Sequence, residues 1–155
     1  MDLRTPYAVV TAVERPRPVT KRELVRLSRQ LELAAMTRPP RLVTATLQDS
    51  RFVTARTREV YRRLASAGAE VTLLARGLQG WLAPGVRGVD LDEDDPLVDE
   101  WVVVLPSPVQ PSVLAATDLR QPSADDLDRD FTCATSSDPE VVAACAELLA
   151  HLRTA

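Results

Sequence analysis

The side chains best placed for chemistry gather at Asp95-Pro96-Leu97-Val98-Asp99-Glu100-Trp101, where two carboxylates stand directly before a tryptophan that opens the apolar run WVVVL. Such carboxylates can orient the indole N–H, pin the preceding loop, or face a ligand; an acidic strand entrance can also be a simple gatekeeper. As a general base, Glu100 or Asp118 would need a pKa near neutrality in an enclosed cleft. Elsewhere the chemistry is thin. His151 is the single histidine and reads as a surface or half-buried side chain, so Ser–His–Asp, Cys–His and multi-histidine zinc arrangements have little to work with. Neither a P-loop nor a dinucleotide fingerprint appears, and Gly77 and Gly80 are too sparse to imitate one. Cys133 and Cys145 form no CxxC pair and read as buried thiols. The acidic run over 90–95 lacks the alternation and central glycine of a calcium loop and reads as solvated. No catalytic group, metal site or cofactor is indicated.

Composition bounds the setting. The chain has 155 residues, 45% hydrophobic and only 4% aromatic, so one aliphatic-cored domain is expected. A net charge of -3 speaks against broad binding to nucleic acid or an acidic membrane surface. No run reaches the length of a membrane span and no signal peptide is legible, and two unpaired cysteines suit a reducing cytoplasm.

The elements that must carry these residues can be read in order. Residues 1–19 form an N-terminal arm in which Tyr7 to Val13 could be a short strand and Pro16 and Pro18 end any regular element. Thr20 and Glu23 have capping-box spacing, and Leu24, Leu27, Leu31 and Ala34 give the following helix one apolar face, ended by Pro39 and Pro40. That stripe covers barely two heptads and is expected to pack on its own sheet, although a dimer seam is the alternative. Residues 41–47 read as a buried strand. Thr54 caps a second helix running to Gly68, with Val60, Tyr61 and Leu64 inward and Arg56, Arg58, Arg62 and Arg63 outward. Residues 71–75 are a second strand, parallel to the first. Residues 86–91 are a short edge strand; 101–105 and 113–117 are an antiparallel pair; 119–130 are a loop; 131–135 are a last strand. Asp138 and Pro139 start a final helix with the stripe Val141, Cys145, Leu148 and Leu152. The expected fold is α/β, a three-layer sandwich around a mixed, partly parallel sheet.

DPLVDEWVVV at 95–104 resembles the DPL-x-DEW-x-VV signature of the DICT sensory domains of bacterial signalling proteins. TKRELVRLSRQLE at 20–32 is similar to that family's opening stretch, and Gln48, Phe52, Tyr61, Leu64 and LAATD at 114–118 follow in the expected order. The resemblance covers about Thr20 to the C-terminus, so residues 20–155 are expected to form the sensory domain. It departs from the family at TLQDSRF, where an aromatic before the glutamine is usual, and at Thr117. The resemblance implies a sensory or regulatory role beside diguanylate cyclases, histidine kinases and response regulators. With no output domain on this chain, it implies action through a signalling partner protein, with a homodimer left open. In open α/β sheets ligands gather beyond the carboxyl ends of strands. Gln48, Phe52, Arg76 and Trp81 follow such ends, and Glu100 and Asp118 are expected at the same rim. The candidate ligand-binding residues are therefore Gln48, Phe52, Tyr61, Arg76, Glu100, Trp101 and Asp118. Two readings compete: a small-molecule sensor, and an interaction adaptor with no ligand of its own. An enzyme is the least supported.

Overall fold

A computed structural model of the chain describes residues 5–123 and 125–153, with side chains described through residue 151. One eight-stranded sheet in the order β1-β8-β7-β6-β2-β3-β5-β4 runs through its middle. The strands are β1 (Arg17–Thr20), β2 (Leu42–Asp49), β3 (Glu70–Arg76), β4 (Gly80–Ala83), β5 (Val86–Asp90), β6 (Glu100–Leu105), β7 (Ser112–Asp118) and β8 (Asp130–Ser136). The helices are α1 (Pro6–Thr11), α2 (Lys21–Thr37), α3 (Ala55–Ser66) and α4 (Pro139–Arg153). β2, β3 and β5 are parallel, and every other pairing is antiparallel, which makes the sheet mixed.

Strand alternation divides the core into two layers. Val43, Ala45 and Leu47 of β2, Val71 and Leu73 of β3, and Trp101 and Val103 of β6 face α2 and α3. Leu74, Val102, Val104, Val113 and Ala115 face α1 and α4. The expected three-layer α/β sandwich is the observed one. β2 and β3 are parallel neighbours with Val43 opposite Val71, next to β6 at the sheet centre, as two-sided apolar runs require.

The N-terminal residues depart from expectation. Residues 6–11 are helical, not extended: Thr5 caps α1 by accepting the Ala8 N–H, and Pro6 stands at the first helical position. Val10 is fully buried against the α4 layer. Pro18 lies within β1 instead of ending regular structure, because β1 is an edge strand paired only with β8, where a missing N–H is tolerated. At the other edge, residues 86–90 are interior: β5 pairs with β3 and with β4, the strand that the sequence did not disclose. A tight approach fixes that edge, since a Cβ on Gly85 would stand 2.8 Å from the Ala65 Cβ of α3. In α4 the buried residues are Val141, Val142, Cys145 and Leu149, so Val141 and Cys145 of the expected stripe are buried; Leu148 is half-buried and the Leu152 side chain lies outside the described residues.

Candidate functional site

α2 carries the feature that builds the site. Its buried residues are Lys21, Leu24, Ser28, Glu32 and Ala35, one stripe at steps of three and four. Three of the five are polar. Leu27 and Leu31 are half-buried at the border and Ala34 is exposed, so the apolar stripe expected from the sequence is rotated away from the helix's true inner face. Polar groups that cannot close onto an aliphatic sheet leave a gap, and a cleft of about 570 Å³ opens between α2 and α3. Leu47, Trp101 and Val103 of the sheet form its floor, Thr57, Val60 and Tyr61 of α3 the far wall, and Arg51, Phe52 and Asp126 the mouth.

Trp101 is 7% exposed and lines this cleft. Its indole Nε1 donates to Ser28 Oγ at 2.8 Å, so α2 and not the preceding carboxylates orients the ring. Lys21 begins α2 behind the Thr20 cap, which accepts the Glu23 N–H. Its Nζ stands 3.3 Å from the Phe52 ring centroid and 5.8 Å from that of Trp101, and it donates to Asp126 Oδ2 at 2.5 Å. Burial lowers the Lys21 pKa, opposed by the bond to Asp126. Burial alone would raise the Asp126 carboxyl, but the bonds from Lys21 and Arg129 outweigh it and hold it low. Deeper along α2, burial lifts Glu32 to about 7, against the charges of Arg29 and Arg56. Tyr61 faces the same space at 1% exposure, and its hydroxyl has no hydrogen-bond partner among the described residues. Burial, with the Glu32 charge second, raises its pKa well above the ordinary value.

A second polar cluster adjoins the mouth. β2 and β3 shift register between Thr46 and Asp49, and Gln48 adopts φ 65, the left-handed region that a glutamine rarely enters. Its Nε2 donates to Asp118 Oδ2 at 3.3 Å, and its Oε1 accepts from Arg129 Nη2 at 3.3 Å. Arg129 also donates to Asp118 Oδ2 at 2.5 Å and to Asp126 Oδ1 at 2.8 Å. Its guanidinium carbon lies 5.2 Å from the Phe52 centroid. Arg129 therefore ties Gln48 and Asp118 to the cleft mouth, although neither residue lines the cleft itself.

Of the candidates read from the sequence, Phe52, Tyr61 and Trp101 line the cleft, and Gln48 and Asp118 join it through Arg129. Arg76 instead pairs with Asp49 at 3.0 Å. Glu100 does not share their rim. It is the strand neighbour of Trp101, so alternation sends its side chain to the opposite layer, where Oε1 accepts the Tyr7 N–H at 3.0 Å. Burial raises Glu100 to about 7 despite the bonds from Thr5 and Tyr7. Trp81, on edge strand β4, is 74% exposed. Lys21, Ser28, Glu32 and Arg129 escaped the sequence reading. The signal for the first three was available: they fall on one helical stripe with Leu24 and Ala35. For Arg129 no local signal exists.

Other groups lie apart from the cleft. Both cysteines are buried and free, and burial pushes the Cys145 thiol up to about 12. Of the 90–95 acids, Asp90 accepts the Gly77 N–H and Asp95 caps the 3-10 turn at 96–99 by accepting the Leu97 N–H. Among the described residues no group of three or more His, Cys, Asp or Glu side chains is arranged to hold a metal ion, and no helix is long and apolar enough to cross a membrane.

No curated protein matches the chain. Among solved structures it is similar to polyphosphate kinase from Porphyromonas gingivalis, with TM-score 0.57 and 14% identity over 94% of this chain and 26% of that one. NucT from Helicobacter pylori gives TM-score 0.52 and 9% identity over 91% of this chain and 96% of that one. TrmBL2, an archaeal chromatin protein, gives TM-score 0.50 and 14% identity over 93% of this chain and 54% of that one. The chain thus spans about a quarter of the kinase and about half of TrmBL2, and at these identities the likeness is one of fold alone. The family model described as a sensory domain in diguanylate cyclases and two-component systems, DICT, matches residues 7–119. That match begins inside α1, ahead of Thr20 where the resemblance read from the sequence starts, and stops before Asp126 and Arg129. With most of its length so matched, the chain belongs to the DICT sensory domain family.

Proposed function

We propose that this sensory domain detects a small molecule in the α2–α3 cleft and passes its occupancy to a partner protein, as a regulator without catalysis of its own. The observation that carries the reading is the Tyr61 hydroxyl, buried at the cleft wall with no partner among the described residues. An orphaned buried hydroxyl costs about 1–3 kcal/mol, and a ligand that bonds it removes that cost. The cleft volume of about 570 Å³ suits a drug-sized molecule. Aromatic walls with a few convergent polar groups are the usual make-up of such sites. Residues Gln48 and Asp118 act here through Arg129, shaping the mouth and not touching the ligand. A cytoplasmic setting fits two buried, unpaired thiols.

The adaptor reading asks for an exposed apolar patch over residues 24–31. Leu24 is fully buried, and Leu27 and Leu31 pack against the sheet core, which favours the sensor. The test is native mass spectrometry of the chain purified from its own host, beside thermal melting in a small-molecule extract of that host. A retained mass or a raised Tm is expected, and both should vanish in Val60→Trp, which fills the cleft. Neither effect in the wild-type protein, or effects that persist in Val60→Trp, would refute the reading.

A further inference from the structure

If the cleft is the binding site, its mouth also states what class of molecule it takes. Lys21 is 4% exposed at its side chain, and its ion-pair partner among the described residues is Asp126. That carboxylate is gripped on both oxygens, by Lys21 on one and Arg129 on the other, above the Phe52 ring. Arg51 adds a third cation, its guanidinium carbon 4.8 Å from the same ring. Asp126 arrives from outside: its side chain is 47% exposed, on a single 3-10 turn (Asp126–Asp128) directly after the exposed Asp125. A buried ammonium requires an anion, and here the chain fills the anion seat with a residue at the solvent boundary. Inward from that seat Val25, Val60, Val103 and the Trp101 ring line the cleft, Glu32 lines it farther along α2, and the Tyr61 hydroxyl stands unpartnered.

We propose that the cleft takes a small organic anion with a flat apolar body, whose carboxylate, phosphate or sulfonate sits on Lys21 in place of the Asp126 carboxylate, while a polar group at its other end meets the Tyr61 hydroxyl. Displacing Asp126 removes one tie between its turn and α2 and leaves the Arg22–Asp128 pair and the Lys21 N–H on the Arg129 carbonyl, so occupancy changes the surface beside the mouth without a large movement of the core. Asp126 is then a built-in competitor that sets the threshold for the ligand.

Two dyes with one body isolate the anion: 1-anilinonaphthalene-8-sulfonate, and N-phenyl-1-naphthylamine, which lacks the sulfonate. The chain has two tryptophans, so Trp81→Phe leaves Trp101 as the only tryptophan donor, and energy transfer from it by a dye that Val60→Trp excludes reports binding in the cleft. The sulfonate dye should bind about 10-fold more tightly than the neutral one, the scale of one charge-assisted bond. Lys21→Met should abolish that preference and Lys21→Arg should keep it. Asp126→Asn, which keeps a side-chain oxygen for Lys21 and removes the competing charge, should tighten the sulfonate dye several-fold and leave the neutral dye alone. Equal binding of the two dyes, or an Asp126→Asn variant with no gain, overturns the anion class while transfer from Trp101 still upholds the cleft. If neither dye draws transfer, or both bind Val60→Trp undiminished, the cleft reading falls as well.

Discussion

Replacing Glu100 with glutamine should make the protein more stable at alkaline pH. The side chain is buried in the α1–α4 layer, where burial raises its pKa to about 7, Thr5 and Tyr7 pull it down, and the charges of Asp95 and Asp99 push it up again. A folded-state pKa above the unfolded one means that the folded protein holds the proton more tightly. The resulting stability is complete below the ordinary value of 4.5 and is lost as pH rises through about 7. At ~1.36 kcal/mol per pH unit, that gap corresponds to about 3 kcal/mol, an upper figure once local relaxation and water entry are allowed. Glutamine keeps an oxygen to accept the Tyr7 N–H and never ionises. Urea unfolding of wild type and Glu100→Gln between pH 4 and 8.5 should give near-equal stabilities at the acid end and an advantage for the variant that grows between about pH 4.5 and 7 and levels off above. Glu32, also raised to about 7 by burial, titrates in both proteins, so its contribution cancels in the difference. A variant less stable than wild type by the same amount at every pH would refute the reasoning, because it would show Glu100 acting only through its hydrogen bonds.

Three further substitutions test the cleft and its mouth. Trp101→Ala should cost about 3–5 kcal/mol in chemical denaturation, since a buried ring and its bond to Ser28 are both lost; a loss under about 1 kcal/mol would show that the ring contributes little to the fold. Tyr61→Phe should leave the ligand-free protein as stable as wild type or more stable by about 1 kcal/mol, because it removes an unpartnered buried hydroxyl; a clear fall in Tm would reveal a partner for that group. Gln48→Gly and Gln48→Ala both lose the bonds to Asp118 and Arg129, but glycine accepts φ 65 without strain and should be the more stable by roughly 1 kcal/mol. Equal melting of the two variants would show that the backbone there is not strained.

The legible parts of this protein are local. The parallel pair β2 and β3, the strand β6 and the caps of α2 and α3 follow from apolar runs and cap residues a few positions apart, and Phe52, Tyr61 and Trp101, which line the cleft, were singled out by the sequence. Two errors were also local in origin. Thr5 and Pro6 announce a helix start that the apolar run over 7–13 obscured, and Glu100 beside Trp101 in a strand had to face the other layer. What no local pattern holds is the pairing of Lys21 with Asp126, 105 residues apart, or the meeting of Arg129 with Gln48 across 81. Sequence determines which side chains a helix or strand presents together, because backbone periodicity is short-range. Which of those faces meet depends on strand order and on how far a helix carrying Lys21, Ser28 and Glu32 stands off the sheet, and those are properties of the packed whole.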